Sequence, residues 1–430
     1  MSDILNLKNA SFLVYGLGST GNSVIRYFKK KKIDNFFVWD DELKLRKKFG
    51  TKYNANLFFI LKKVDYIVLS PGISLKNTKN KEELLKFKRK IITDIDLLYL
   101  DNTKFKSIVV TGSNGKSTTC KIISHLLKKN KFEVVVGGNI GVPVLDLKIK
   151  KNTFLVIEAS SFQLSHSKFI SPNYAILLNI TNDHLDWHGS MKAYVQSKLK
   201  IFQLQKRDDY ALVNIILKKN LAKKNYLGKF TFVKSKEYEK IKSKIKNDYL
   251  RSKTNDDNMH FVFALANLLK IKKKSFIKSM NSFKGLPHRY EIFLKKKNTI
   301  FINDSKATSF QATKFALASA KNIYWILGGL PKDKDKINLH YVKKNIIKSY
   351  IIGKNINHFK KQIKNKIKFS ITRNLKKTLA YILKDIKLFN NKDNIILLSP
   401  GAASFDQFKN FEERGNYFKR LSRQYAKKII

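Results

Sequence analysis

The chain has 430 residues, 43% of them hydrophobic, which suits roughly two to four ordinary cores rather than one. No apolar run approaches the roughly 18–20 residues of a membrane span. Met1–Leu7 shows no basic stretch leading into a long apolar one, so no signal peptide is expected. A single cysteine, Cys120, excludes an internal disulfide and fits a reducing cytoplasm.

The 87 basic residues outnumber the 32 acidic ones and give a net charge of +55, which admits a nucleic-acid or anionic-membrane partner. The lysines, however, are spread through every segment, as in Lys29–Lys32, Lys218–Lys224 and Lys360–Lys366. They are not interleaved with aromatics in a binding pattern. Lys, Asn, Ile and Phe are all abundant, as an AT-rich genome would produce. Biased composition is the preferred reading, and no specific nucleic-acid partner is expected.

In chain order, Ser11–Tyr15 reads as a first strand. It runs into Gly16-Leu17-Gly18-Ser19-Thr20-Gly21 and a helical stretch, Val24–Phe28. A second strand, Phe36–Trp39, ends at Asp40. A glycine turn with an acid about 20 residues on is the dinucleotide fingerprint, so a Rossmann-like nucleotide or nucleotide-sugar site is expected, with an oxidoreductase as one candidate function. A third strand, Tyr66–Leu69, runs into Ser70-Pro71-Gly72, at the kind of strand end that carries ligands in open α/β sheets. Residues 1–102 read as one small α/β domain.

The stretch on which the chain turns is Ser107–Thr119. Ile108, Val109 and Val110 form a buried-type strand. Gly112-Ser113-Asn114-Gly115 breaks it, and Lys116-Ser117-Thr118 opens a segment with helical spacing at Cys120, Ile123, Leu126 and Leu127. Strand, glycine loop, Lys-Ser and helix together make a phosphate-binding loop. Glycines let backbone N–H groups approach phosphate oxygens, and the helix N-terminus favours anions. Lys116 would neutralise the β- and γ-phosphates, and a neighbouring hydroxyl would ligate Mg2+. Only two residues separate Gly112 from Gly115-Lys116, a tighter spacing than the common loop.

Three further strands end in polar residues. Val134–Val136 runs into Gly137-Gly138-Asn139-Ile140-Gly141, Phe154–Ile157 into Glu158–Leu164, and Tyr174–Leu178 into Asn179–Asp186. In a parallel sheet these ends share one edge with the phosphate loop, so Glu158 and His184 are expected to face the phosphates. A carboxylate in that place is a natural Mg2+ ligand. Residues 204–275 are lysine-rich and weakly patterned, apart from a helix over Asn258–Ile271. A Gly-Leu-Pro-His-Arg-Tyr turn at Gly285–Tyr290 reads as a junction. Beyond it Thr299–Ile302, Ile323–Leu327 and Ile395–Leu398 are strands ending in Asn303–Ser309, Gly328–Lys332 and Ser399–Asp406.

These stretches together resemble the Mur ligases of peptidoglycan synthesis. The match runs from residue 11 to residue 418. It includes Gly16–Gly21, Ser70–Gly72, Thr111–Thr118, Gly138–Gly141, Glu158–Leu164, Asn179–Asp186, Ser197-Lys198-Leu199, Gly285–Arg289 and Asn303–Thr308. Its most specific part is Ser399–Asn416, which points to the D-glutamate-adding branch. The resemblance implies an α/β protein of three domains. They are a Rossmann-like UDP-substrate domain (1–102), a central P-loop-type ATPase domain with a parallel sheet (103–285) and a Rossmann-like C-terminal domain for D-glutamate (286–430).

It also implies the reaction. ATP phosphorylates the carboxylate of UDP-N-acetylmuramoyl-L-alanine, and the D-glutamate amine displaces phosphate from the acyl phosphate. The setting would be cytoplasmic and the protein monomeric. Gly112, Ser113, Asn114, Gly115, Lys116, Ser117 and Thr118 would bind ATP, with Arg289 and Asp304 touching the nucleotide and Lys306 near the phosphates. Ser117 or Thr118 and Glu158 would hold one Mg2+ ion, and His184 a second. Lys198 matches the family's carbamylated lysine, whose added carboxylate serves that second ion. Gly18, Ser19, Gly72, Asn139 and His184 fall on the UDP-substrate, and Thr308, Lys332, Ser404 and Phe411 in the D-glutamate pocket. The chain departs from the family at Phe263, where an adenine-contacting Asn often stands and for which Asn258 is a substitute. It departs again at Asp41-Glu42 near the uracil position, and at Leu330-Pro331 before Lys332. A folylpolyglutamate-synthase-like ligase would share the loop but lack both Ser404–Asn416 and the Gly16–Gly21 domain.

Overall fold

The computed structural model describes residues 7–53, 56–76, 78–101, 104–139, 141–221, 225–234, 236–252, 255–332, 335–389 and 393–427. Ile140, the N-terminal residues 1–6 and the junction at 102–103 lie outside them. The chain divides into two units, Met1–Phe283 and Lys284–Ile430.

The first unit holds two sheets. One contains β1 (Phe12–Tyr15), β2 (Phe36–Trp39), β3 (Tyr66–Leu69) and β4 (Ile91–Ile92), in the order β2-β1-β3-β4 and all parallel. Every residue of β1 is buried, as expected of a central parallel strand covered on both faces. The helix Ser19–Lys31 packs Val24, Ile25, Tyr27 and Phe28 inward and ends in three lysines, which suit the negative end of its dipole.

The second sheet contains β5 (Lys106–Thr111), β6 (Val134–Gly138), β7 (Phe154–Glu158), β8 (Tyr174–Leu177), β9 (Tyr210–Asn214) and β10 (Lys229–Val233). Its order is β10-β9-β8-β5-β7-β6, again all parallel. The ends of β5, β6, β7 and β8 therefore share one edge, as the sequence suggested. The weakly patterned stretch 204–275 supplies β9 and β10 and several helices. On the edge strand β10 only Val233 is buried, so its lysine and open side chains hide the strand signal.

The second unit is one sheet of β11 (Glu291–Lys296), β12 (Thr299–Asn303), β13 (Ile323–Gly328), β14 (Ile346–Ile352), β15 (Phe369–Arg373) and β16 (Asn394–Leu398). The order is β11-β12-β16-β13-β14-β15, parallel except for β11, which runs antiparallel to β12. Trp325 at its centre is fully buried, and its indole N–H donates to the Ser399 carbonyl at 2.7 Å. Lys348 interrupts the apolar run of β14 without loss, because Asp385 accepts from its Nζ at 2.8 Å and from the Tyr350 hydroxyl at 2.6 Å. No helix among the described residues is long and apolar enough to cross a membrane.

Candidate active site

The glycine loop leaves the end of β5 and opens the helix Lys116–Lys129. Gly115 sits at φ +86°, and a Cβ there would fall 2.2 Å from the Asn258 side-chain oxygen, so only glycine fits. The strand end after β8 fixes the loop from the side. Asn179 accepts from the Ser113 N–H through its carbonyl (3.0 Å) and from the Asn114 N–H through Oδ1 (2.9 Å). Its Nδ2 donates back to the Asn114 carbonyl at 3.2 Å. Ser113 Oγ accepts from the Thr181 N–H at 2.9 Å and shares a 2.8 Å hydrogen bond with the buried Tyr194 hydroxyl.

Two amines converge on this loop. Lys116 Nζ donates to the carbonyls of Gly112 (2.8 Å) and Ser113 (2.9 Å), and Lys198 Nζ donates to the same Gly112 carbonyl at 2.9 Å. Lys198 is 1% exposed. Burial, then the charge of Lys116, pushes its ammonium down to about 7. Its Nζ also lies 4.7 Å from the Tyr194 ring centre.

Glu158 ends β7 and is buried. Oε1 accepts from Asn139 Nδ2 at 3.1 Å, while Oε2 has no hydrogen-bond partner among the described residues. An unengaged buried carboxylate oxygen beside a phosphate loop fits a hard cation. Asn139, expected on the UDP-substrate, thus also orients this carboxylate. His184 sits at φ +53° before a short helix, and its ring packs edge-on against Phe162 at 4.8 Å. Burial, aided by Lys116 and Lys198 and opposed by Asp183, holds its imidazole below the usual histidine range. It is therefore neutral at neutral pH and able to ligate. Ser117 and Thr118 stand in the first turn of the loop's helix, with Thr118 buried. Among the described residues no three His, Cys, Asp or Glu side chains cluster as a metal site. The donor set of one carboxylate, hydroxyls and an imidazole fits Mg2+, which characteristically completes its shell with phosphates and water.

Phe263 is buried, with its ring against Phe276 and Tyr238. Asn258, read as its substitute, is buried as well. Its amide accepts from Thr119 Oγ1 at 3.2 Å and donates to Asn255 at 3.0 Å. Its side-chain oxygen also stands against Gly115 of the glycine loop.

At the N-terminal turn Gly21 is needed for close approach, since a Cβ there would stand 1.9 Å from the Gly16 carbonyl oxygen. Asp40 accepts from the Leu17 N–H (2.7 Å) and the Glu42 N–H (3.0 Å), so it closes the turn from within. The ribose-reading role of the oxidoreductase alternative loses its free carboxylate. Asp41 accepts from Tyr15 (2.6 Å), Thr78 (3.0 Å) and Asn80 (2.8 Å). Burial works against its charge, but these hydrogen bonds outweigh it and hold the carboxyl below its usual range. Gly18, Ser19 and Gly72 are exposed at the strand ends above it.

In the second unit the predicted residues gather at the ends of β12, β13 and β16. Asp304 accepts from the Tyr290 N–H (3.0 Å) and from Ser399 Oγ (2.7 Å), and burial pushes its carboxyl up to about 7. Lys306 Nζ lies 4.7 Å from the Phe411 ring centre, and the Phe411 carbonyl accepts from Ser305 Oγ at 2.8 Å. Arg289 lies in the turn before β11, and Thr308 is half-buried in the loop after β12. Lys332 is exposed beyond the paired Leu330 and Ala403. Ser404 is 2% exposed, and its hydroxyl has no partner among the described residues. Sequence reasoning assigned no role to Asn179, Tyr194 or Arg414. Asn179 and Arg414 lie inside stretches that carry the resemblance, but only the folded contacts show what they hold.

Residues 110–272 match the Mur ligase middle domain. The chain is 36% identical to the UDP-N-acetylmuramoylalanine--D-glutamate ligase of Rickettsia felis, over 97% of each chain. It is 34% identical to the protein of that name in Buchnera aphidicola, over 97% of this chain and 99% of the other. Its fold resembles the MurF ligase of Thermotoga maritima in complex with ADP, with a TM-score of 0.57 at 16% identity over 100% of both chains. It also resembles the UDP-N-acetylmuramate-alanine ligase MurC of the same organism, with a TM-score of 0.55 at 17% identity, covering 98% of this chain and 99% of the other. Those two likenesses concern the fold alone. With over a third of its residues shared along nearly the whole length of a curated relative, the chain belongs to the Mur ligase family, among its UDP-N-acetylmuramoylalanine--D-glutamate ligases.

Proposed function

We propose that the chain joins D-glutamate to UDP-N-acetylmuramoyl-L-alanine at the expense of ATP, as a cytoplasmic monomer in peptidoglycan precursor synthesis. The observation that carries this reading is the full-length similarity to curated relatives of that name. The convergence of Lys116, Lys198 and Glu158 on the edge that carries the glycine loop accords with it.

The chemistry asks for charge control more than covalent help. A carboxylate oxygen of the substrate attacks the γ-phosphorus and ADP leaves. The neutral amine of D-glutamate then attacks the acyl carbon, phosphate departs, and the amine's proton passes to solvent. Both nucleophile and electrophile of the first step are anions, so the site must neutralise and align them. Lys116, held against the loop carbonyls of Gly112 and Ser113, is placed to turn to the phosphates. Glu158 with Ser117 or Thr118 would hold one Mg2+ ion, and His184 with a carbamylated Lys198 the other. Bound Mg2+ supplies neutralisation of the triphosphate. The half-deprotonated amine of Lys198 suits reaction with carbon dioxide, because only the neutral form is nucleophilic. Residues 1–102 are assigned the UDP-substrate through Gly18, Ser19 and Gly72, joined by Asn139 and His184 of the central segment. Residues 103–285 are assigned ATP. Residues 286–430 are assigned D-glutamate through Thr308, Lys332, Ser404 and Phe411, with Arg289, Asp304 and Lys306 toward the nucleotide.

Phosphate release from ATP tests the proposal directly. It should require UDP-N-acetylmuramoyl-L-alanine and D-glutamate together, with D-glutamate far better than L-glutamate. Equal turnover with meso-diaminopimelate or L-lysine would move the chain to another ligase of the series.

A further inference from the structure

Arg414 lies near the start of the helix Phe411–Ala426 and is 1% exposed, one of the largest fully buried side chains of the molecule. Its guanidinium works as a fork. Nε donates to Ser305 Oγ at 3.0 Å, and Nη2 donates to the carbonyls of Ser305 (2.8 Å) and Ala402 (3.0 Å). Ser305 belongs to the loop after β12 and Ala402 to the loop after β16, so one side chain ties two strand-end loops together. Nη1 has no hydrogen-bond partner among the described residues. It lies against the third loop, the one after β13, where a Cβ on Gly329 would stand 3.2 Å from it.

The cation is not paired. No carboxylate lies within ion-pair distance of it among the described residues. Asp406, the one acid that raises its basicity, accepts from the Lys354 N–H at 3.0 Å. Burial lowers the guanidinium to about 10, so it stays charged at neutral pH. An unpaired buried charge with an unmade hydrogen bond lowers stability relative to an apolar side chain of the same size. Fold stability alone therefore does not require an arginine at this place. The same three loops carry Thr308, Lys332 and Ser404, and the Ser404 hydroxyl is a second buried polar group without a partner.

We propose that Arg414 is a positioning residue for the dicarboxylate amino acid: its guanidinium clamps the loops after β12 and β16 against the loop after β13, fixing Thr308, Lys332 and Ser404 and lending them a standing positive charge. The inference rests on the functional reading above and adds a residue to it. Lysine could keep the charge but not the planar fork, and glutamine would lose both.

The test uses the full chain with Arg414→Lys, Arg414→Gln and the milder Ser305→Ala, which removes the acceptor of Nε together with the hydroxyl's donation to the Phe411 carbonyl. Steady-state constants are measured for D-glutamate, ATP and UDP-N-acetylmuramoyl-L-alanine, and the folded fraction is taken from thermal melts. Arg414→Lys should raise the D-glutamate KM about 10- to 100-fold, the scale of lost hydrogen bonds to a charged group. The KM values for ATP and the UDP-substrate should stay within about twofold. Arg414→Gln should be worse, and Ser305→Ala should raise the D-glutamate KM about three- to tenfold. If Arg414→Gln does not fold, the other two variants decide. An unchanged D-glutamate KM in Arg414→Lys and Ser305→Ala, or a loss of kcat that merely follows the unfolded fraction, overturns the proposal. A wild-type chain that does not turn over D-glutamate overturns the functional reading first, and this inference with it.

Discussion

Lys198 in the first unit and Arg414 in the second occupy similar places with different head groups. Each is 1% exposed, each donates to carbonyls of a strand-end loop, and neither has a carboxylate partner within ion-pair distance among the described residues. Burial lowers both, but Lys198 falls to about 7 while Arg414 stays at about 10. The lysine can shed its proton near neutrality and become a nucleophile toward carbon dioxide. The arginine cannot, and it remains a fixed charge and a rigid fork. The first position is thus suited to conversion into an anion and the second to holding loops.

The sharpest way to break this contrast is to exchange the head group at the first position. Lys198→Ala should lower turnover on the order of 10²- to 10³-fold, the scale of removing one preorganised stabilising group, while thermal melts remain close to wild type. A short carboxylate such as acetate should restore part of the activity by placing an oxygen in the vacated space. Lys198→Arg should be as inactive as Lys198→Ala and should not respond to acetate, because the guanidinium fills the space with positive charge. Near-normal turnover of Lys198→Ala at saturating Mg2+ would return Lys198 to the status of a structural lysine.

A second test uses pH. Below about 7 the folded chain carries Lys198 as an ammonium, as the unfolded chain does, and burial of that charge disfavours the fold. As pH rises above about 7 the folded state loses the proton first, so this residue's contribution to stability increases until the unfolded lysine also titrates near its ordinary value of about 10.4. The nucleophilic form follows the same curve. Activity should drop up to about tenfold between pH 8 and pH 6, and at equal dissolved carbon dioxide the carbamate-dependent activity should be higher at pH 8 than at pH 6. Lys198→Ala should lose that response to carbon dioxide. A response that survives the substitution would place the carbon dioxide effect elsewhere.

The legibility of the two regions in the sequence differs for physical reasons. Strands buried on both faces, such as Ile108–Val110 or Phe154–Ile157, read as unbroken apolar runs, and the polar residues after them mark the working edge. β14 was hidden because Lys348 and Ser349 interrupt it, and only the Asp385 contact shows why a lysine is tolerated there. β9 and β10 were hidden in a lysine-rich background. Lys116 could be found from its place after a glycine loop, and Lys198 only through the family pattern. Nothing local separates Arg414 from the other basic residues of a chain with net charge +55. What singles it out is burial and the loops it joins, one of them the loop of Ser305, more than a hundred residues away in sequence.

A third test concerns how the glycine loop is held on the side of Lys198. Asn179→Ala removes the acceptor of the Asn114 N–H and the donor to the Asn114 carbonyl. Loss of two hydrogen bonds of ordinary strength should raise the ATP KM about tenfold and leave the D-glutamate KM within about twofold. An equal rise in both would mean that Asn179 acts on the fold as a whole instead of on the loop.

The smallest expected effect comes from Tyr194→Phe, and it separates two contributions of one side chain. The ring keeps its place near Lys198, where Nζ lies 4.7 Å from its centre, and only the hydroxyl that meets Ser113 at 2.8 Å is lost. Ser113 Oγ can still donate to the Thr181 carbonyl at 3.1 Å and accept from its N–H at 2.9 Å, so the loop is loosened and not released. One neutral hydrogen bond contributes about 0.5–1.5 kcal/mol net, and the ATP KM should rise only about two- to tenfold. The pH profile should keep its inflection near 7, because the ring and Lys116 still surround the amine. Tyr194→Leu removes the ring as well and should move that inflection, since the amine loses both its aromatic neighbour and part of its cover. If Tyr194→Phe moved the inflection as far as Tyr194→Leu, the hydroxyl and not the ring would govern the state of Lys198, and the lysine's contrast with Arg414 would rest on the hydrogen-bond network of the loop rather than on burial.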